Sequence, residues 1–315
     1  MREFFRRFKL TYSIYNFFHK KELYNNEKIY KKLGLKKKYY SSVSSKDFVG
    51  LSSDVTEFSE TKKYNFESCH LYNQLDQEDQ KSLQSFEDNG FSILKNYLSA
   101  DQVDKINAEL LRLKEENKLK YAYGNKIMFA IHASPLLWDI GNDQNLKEIL
   151  TVLLQGNPVL FQSINFMMGS EQATHSDSIH MTTYPLGGLL GVWIALEDVA
   201  EDNGPLHYYP GSHKLPYYLN ADYDNEGSSF FIGNKSYRAY EQMIESKIKG
   251  LHLNKVKFKA NKGDLLIWHA NLFHGGDPHI NKNKTRKSMV FHYFKEGSIC
   301  YHEITQRPAL MQEKA

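Results

Sequence analysis

His175-Ser176-Asp177, together with His274 placed 97 residues after that aspartate, are the residues of this chain best suited to hold a metal ion. In an extended strand residues i and i+2 share a face, so His175 and Asp177 can present an imidazole nitrogen and a carboxylate oxygen to one ion while Ser176 points away. A lone His-x-Asp carries little weight. The context adds it: His274 follows the apolar run Asp264-Leu-Leu-Ile-Trp268 and precedes Gly275-Gly276. Two histidines and one carboxylate would cover one face of the ion and leave three adjacent positions open, the arrangement of non-haem Fe(II) oxygenases. His269 competes for the distal position, but the spacing to Arg286 and the trailing glycines favour His274.

Arg286 heads a second apolar run, Met289-Val-Phe-His-Tyr293. A buried guanidinium is costly unless paired, and the carboxylate of a bound organic acid would pair with it through the arginine fork. Ser288, two residues on and on the same strand face, can donate a further hydrogen bond. Gln162 and Asn165, on the strand preceding the metal loop, are candidates to reach the same ligand. His180 faces the pocket only if the chain bends after Asp177. His213, in Pro210-Gly-Ser-His, reads as a turn histidine bonded to backbone. Trp193 and Tyr184 are either pocket-lining or plain core.

His175-x-Asp177, Gly191-Val-Trp-Ile-Ala-Leu-Glu-Asp198, Asn203-Gly-Pro-Leu206, Pro210-Gly-Ser-His213, Gly263-Asp264, His274-Gly275 and Arg286-Lys287 together resemble the phytanoyl-CoA dioxygenase family of Fe(II)/2-oxoglutarate oxygenases. They come in that family's order, over roughly residues 80 to 295. The resemblance implies a double-stranded β-helix, a jelly-roll of the cupin kind, with Fe(II) on His175, Asp177 and His274. It also implies 2-oxoglutarate and O2 as cosubstrates, the far carboxylate of 2-oxoglutarate being held by Arg286, and release of succinate and CO2. One departure stands out: the family often has serine where this chain has Gly276, and Ser288 is the hydroxyl that could replace it. The carboxylate at Asp177 favours hydroxylation over halogenation.

The elements that must position these groups are mainly β with flanking helices. Asp79 to Asp88 reads as a short helix stopped by Asn89-Gly90, and Phe91 to Leu94 as a strand. Ser99-Ala-Asp-Gln102 fits a capping box opening a helix to about Glu116, with Val103, Ile106, Leu110 and Leu113 as its apolar stripe. A second helix follows Asp143 and ends at Gly156. Beyond Pro158 come short β-rich runs at 159–168, 178–184, 191–196, 206–209, 256–259, 265–268 and 287–294, the spacing of a barrel or sandwich. Residues 214–252 interrupt them as a helix-bearing insertion at the barrel mouth.

The charge is uneven. Residues 1–40 hold twelve Lys/Arg against Glu3, Glu22 and Glu27, a net of +9 in a chain of +3, which leaves the remainder at −6. This divides the 315 residues into a basic, aromatic-rich arm (1–45), a linker or loosely packed extension (46–78), an oxygenase domain (79–300) and a tail (301–315). The arm reads as a solvated extension, with an anionic membrane surface or polyanion as its alternative partner. No nucleic-acid motif accompanies the charge, so nucleic acid is not expected. Charges interrupt the first residues too often for a cleaved secretory signal, no run is long enough to span a bilayer, and Cys69 and Cys300 form no disulfide framework. A cytoplasmic protein, peripheral at most, acting on a small-molecule or lipid-like substrate is the expectation. Two rival readings are a cupin-like metal-binding protein without oxygenase activity and a non-catalytic interaction protein that uses the basic arm.

Overall fold

In the computed structural model of the chain, residues 7–51, 64–122 and 126–311 are described. Residues 1–6 of the expected arm, 52–63 of the expected linker and 312–315 of the tail lie outside them. Along the chain come α1 (Lys9–Phe18), α2 (Tyr24–Lys32), α3 (Gln77–Gln84), α4 (Phe86–Asn89), β1 (Phe91–Leu94), α5 (Ala100–Glu115), β2 (Lys120–Ala122), β3 (Lys126–Met128), α6 (Pro135–Gly141), α7 (Gln144–Leu154) and β4 (Pro158–Phe166). The second half holds β5 (Thr182–Tyr184), β6 (Leu189–Ala195), β7 (Leu206–Tyr208), α8 (Tyr237–Gly250), β8 (Val256–Phe258), β9 (Leu265–His269), β10 (His274–Gly276), β11 (Ser288–Lys295), β12 (Ile299–His302) and β13 (Arg307–Pro308).

A large sheet runs in the order β1-β9-β6-β11-β4-β3-β2, faced by β10-β7-β8, with β13-β12-β5 as a third, smaller sheet. The strand pairings of the large sheet are antiparallel, as a jelly-roll requires. Its central strands are buried on both faces, which is why they read as continuous apolar runs rather than alternating ones. Alternation still sorts their side chains. Leu190, Val192 and Ile194 of β6, Leu265 and Ile267 of β9, and Met289, Phe291 and Tyr293 of β11 join a core with α5 and α7. The intervening Trp193, Leu266, Trp268 and Val290 turn into the barrel.

The bracing helices form where their caps predict. Ser99 and Gln102 make the reciprocal capping box of α5, whose Val103, Ile106, Leu110 and Leu113 are buried. Asp143 caps α7. The α6 helix carries a Ser134 cap and proline in its first turn, a legible signal that the sequence reading passed over. The run 178–184 is not one strand: a 3-10 turn at Asp177–Ile179 precedes β5.

The basic segment packs on the body. Tyr30, Val43 and Phe48 share a buried cluster with Ile299 and Tyr301, and the Phe48 ring stacks on Tyr184 at 4.2 Å. Glu303 accepts hydrogen bonds from the Ser45 amide and hydroxyl. Phe66, Cys69 and Tyr72, within the expected loose extension, are likewise buried in the main core. Among the described residues, no helix is long and apolar enough to cross a membrane.

Candidate metal centre

His175 and His274 are direct cross-strand partners, each backbone N–H donating to the other's carbonyl at 2.9 Å. Two histidines so placed bring their rings together, and the centroids lie 4.6 Å apart. Asp177 reaches them differently from the regular alternation expected, because the chain turns at this residue. Its Oδ1 lies 3.8 Å from His175 Nε2 and 3.7 Å from His274 Nε2. The three donor atoms lie within 4.8 Å of one another, and all three residues are buried.

The donor atoms are also prepared. Nδ1 of His175 faces the Ala173 carbonyl, and Nδ1 of His274 faces that of Leu272, both at 2.9 Å. A carbonyl only accepts, so each Nδ1 carries the proton and each Nε2 turns a lone pair to the shared point. His175 Nε2 also lies 3.1 Å from Gln172 Nε2, a contact that a metal ion on this lone pair replaces. Burial opposes ionisation of Asp177, but His274, His292 and His175 outweigh it and hold the carboxyl well below the usual range. Burial, and then His274, push the His175 imidazole well below its ordinary value. A neutral His175 imidazole beside an ionised Asp177 suits a divalent ion.

The Gly275-Gly276 pair lets the 170–172 loop lie against β10. A Cβ on Gly276 would stand 2.5 Å from Ser170 Oγ, and one on Gly275 2.8 Å from the Gln172 carbonyl. Ser170 thus occupies the space of a side chain at position 276, and it lines the cavity.

That cavity, about 470 Å³, opens beside the triad. Arg286 lies in its wall, 1% exposed, with its guanidinium over the rings of Phe166 and Trp193 at 5.5 and 5.8 Å. Burial pulls it down to about 10, partly offset by Glu197, so it stays charged near neutrality. Its Nη1 donates to Ser288 Oγ at 2.8 Å. Ser288 is absent from the cavity lining, so its evident work is to hold the guanidinium. Gln162 lines the cavity with Ile164 and Phe166, the even-numbered face of β4. Asn165 does not: it lies on the opposite face, where Ser163 accepts from the Ile131 amide, and the expectation that Asn165 reaches the cosubstrate is corrected on that ground.

His180 is in the lining, carried there by the turn after Asp177 and 3.0 Å from Tyr237 Oη of α8. Burial, and then His302, pull His180 down to about 3. His269 faces away, beside His213 and Tyr217, and His213 Nε2 donates to the Glu87 carbonyl as a turn histidine should. Trp193 lines the cavity; Tyr184 does not. The residues that the sequence reading missed are Lys126, Gln172, Tyr237, His292 and His302, all in the lining. Two of them had a signal: His292 shares strand parity with Arg286 and Ser288, and Tyr237 lies in the insertion expected at the barrel mouth.

A model of the family described as phytanoyl-CoA dioxygenase (PhyH) matches residues 86–288. The chain belongs to this family. The His-Asp-His triad of this PhyH chain fits an Fe(II) site. Among curated relatives, it is 39% identical over 94 residues to phytanoyl-CoA dioxygenase domain-containing protein 1 of Danio rerio, covering 28% of this chain and 32% of that one. It is 24% identical over 268 residues to the Bos taurus protein of the same name, covering 67% and 88%. The match thus spans about a third of the first relative and most of the second. Among solved structures, the non-heme alpha ketoglutarate dependent carbocyclase SnoK from nogalamycin biosynthesis superposes with a TM-score of 0.62 at 16% identity, covering 78% of this chain and 96% of SnoK. At that identity the likeness is one of fold: a jelly-roll with flanking helices.

Proposed function

We propose that the chain is a non-haem Fe(II)/2-oxoglutarate-dependent dioxygenase that hydroxylates an aliphatic C–H bond of a small-molecule, lipid or glycan-type substrate, releasing succinate and CO2. The observation that carries this reading is the joint presence, in one cavity, of the buried triad and a buried charged arginine with no carboxylate bonded to it among the described residues. Arg286 Nε, Gln162 Oε1, Trp193 Nε1 and His292 Nδ1 are all buried without a hydrogen-bond partner among the described residues. Such orphaned groups are costly, and a bound dicarboxylate would accept from the Arg286 and Trp193 donors.

Bound iron, with 2-oxoglutarate and O2, supplies the oxidising chemistry. The chain's own residues set its geometry. His175, Asp177 and His274 hold one face of the ion. Arg286, kept in place by Ser288 and flanked by Phe166 and Trp193, binds the far carboxylate of 2-oxoglutarate in a low-dielectric wall where that pairing is strong. Lys126, over the Phe166 ring and bonded to Gln172, adds a second positive charge to the cavity. The volume suits a small substrate, and the insertion closes one side through Tyr237 and His180.

The test is oxygen uptake coupled to succinate release by the Fe(II)-loaded protein. The wild type turns 2-oxoglutarate over and Asp177→Ala does not. Equal succinate release by both would remove the reading.

We also propose a cytoplasmic enzyme that meets anionic surfaces. Both cysteines are buried and unpaired, which suits a reducing compartment. Helix α1 exposes Leu10, Ile14, Phe17 and Phe18 along one side, next to the exposed Lys20 and Lys21, the pattern of an interfacial helix. Sedimentation with vesicles containing phosphatidylserine, but not with phosphatidylcholine alone, is the expected result; sedimentation with neither would reject this contact.

A further inference from the structure

Asp177 has two carboxylate oxygens, and the barrel treats them differently. Oδ1 faces the two histidines. Oδ2 accepts a hydrogen bond from the Trp268 indole Nε1–H at 2.8 Å, between two buried side chains 91 residues apart. His292 Nε2 stands 3.6 Å from the same Oδ2, close enough for charge interaction though too far for a hydrogen bond.

Trp268 and His292 reach this oxygen from one row of the large sheet. Trp268 on β9 is directly opposite Gly191 on β6, Gly191 is opposite His292 on β11, and His292 is opposite Gln162 on β4. The glycine makes the row work. A Cβ at position 191 would lie 2.3 Å from Trp268 Cε2 and 2.4 Å from Cζ2, so only a residue without a side chain leaves room for the indole to lie across the strand.

We propose that the Trp268-Gly191-His292 row is a positioning device for Asp177. The indole N–H occupies Oδ2 and leaves Oδ1 alone to bind the ion. A carboxylate free to turn about its last torsion can bind through both oxygens and so take up one of the positions needed for cosubstrate. With Oδ2 held, binding stays monodentate and those positions stay open. A buried indole N–H needs an acceptor, and groups that orient a metal ligand from behind are worth roughly 10–100-fold in metal affinity. This inference rests on the triad being the metal site.

The test titrates the full chain with Co(II) alone, anaerobically, following its visible bands. Trp268→Phe keeps the ring and removes the donor; Gly191→Ala keeps the donor and displaces the ring. Both are expected to bind Co(II) about 10–100-fold more weakly as Asp177 loses its fixed orientation, with altered band intensity and with far-UV circular dichroism unchanged. Wild-type affinity and bands in both variants would overturn the proposal. Should either fail to fold, the wild type decides through the indole N–H resonances of Trp138, Trp193 and Trp268. The Trp268 signal is expected to lie downfield, to exchange slowly, and to move in Asp177→Asn. A Trp268 signal indifferent to that change would also overturn it. Absence of Co(II) binding by the wild type would instead defeat the metal reading itself, and this role with it.

Discussion

Two walls of the same cavity are built from polar residues in opposite conditions. The strand wall, from β4, β6, β11 and the residues leading into β11, presents Gln162, Trp193, Arg286 and His292, each with a buried polar atom that has no partner among the described residues. The loop wall, from the metal loop and α8, has its polar groups bonded within the protein: Gln172 accepts from Lys126 of β3 at 2.8 Å, and His180 lies 3.0 Å from Tyr237 Oη. A rigid sheet can hold groups unsatisfied because its backbone ladder fixes them whether or not a ligand is present. Loops and an inserted helix close on their own hydrogen bonds when nothing else is offered. Under the function proposed above, the contrast suits cosubstrate at the strand wall and substrate at the loop wall.

The largest effect expected from this contrast is at Arg286. Arg286→Ala should weaken 2-oxoglutarate binding by about 100-fold or more, since it strands a carboxylate in a dry wall, while Co(II) affinity stays near wild type; unchanged 2-oxoglutarate affinity would refute the assignment. Gln162→Leu, which removes the amide from the same wall, should cost about 5–10-fold in the same titration. Ser288→Ala should cost about 3–5-fold, because it acts only by loosening the guanidinium. Tyr237→Phe, on the loop wall, should leave 2-oxoglutarate affinity within about 2-fold of wild type; a loss as large as that of Gln162→Leu would erase the distinction between the walls. Asn165→Ala should be silent in this assay, and a loss there would place Asn165 against the ligand after all.

The triad could be read from sequence because ligands must be particular residue types at spacings that strands allow, and Arg286 because a charge at the head of an apolar run demands a partner. Strand parity limits more than was taken from it. Gln162 and Asn165 are three apart, so a regular strand cannot point both into one cavity. The same rule, run forward from Arg286 and Ser288, reaches His292. Other features had no local signal. That His175 and His274 pair across an antiparallel bridge depends on the metal loop meeting β10. The helices of the basic segment dock through Tyr30 and Phe48 onto strands some 250 residues later in the chain, and charge alone suggested a solvated arm. Lys126 and His302 arrive in the cavity from short strands whose pairing, not composition, places them.

The central claim, one ion on His175, Asp177 and His274 with 2-oxoglutarate beside it, is tested most directly by anaerobic addition of Fe(II) and 2-oxoglutarate to the full chain while watching for the visible charge-transfer band of the chelate. The band should appear in the wild type, vanish in His175→Ala and need far more 2-oxoglutarate in Arg286→Ala. Its absence from a folded wild-type protein that binds iron would contradict the account.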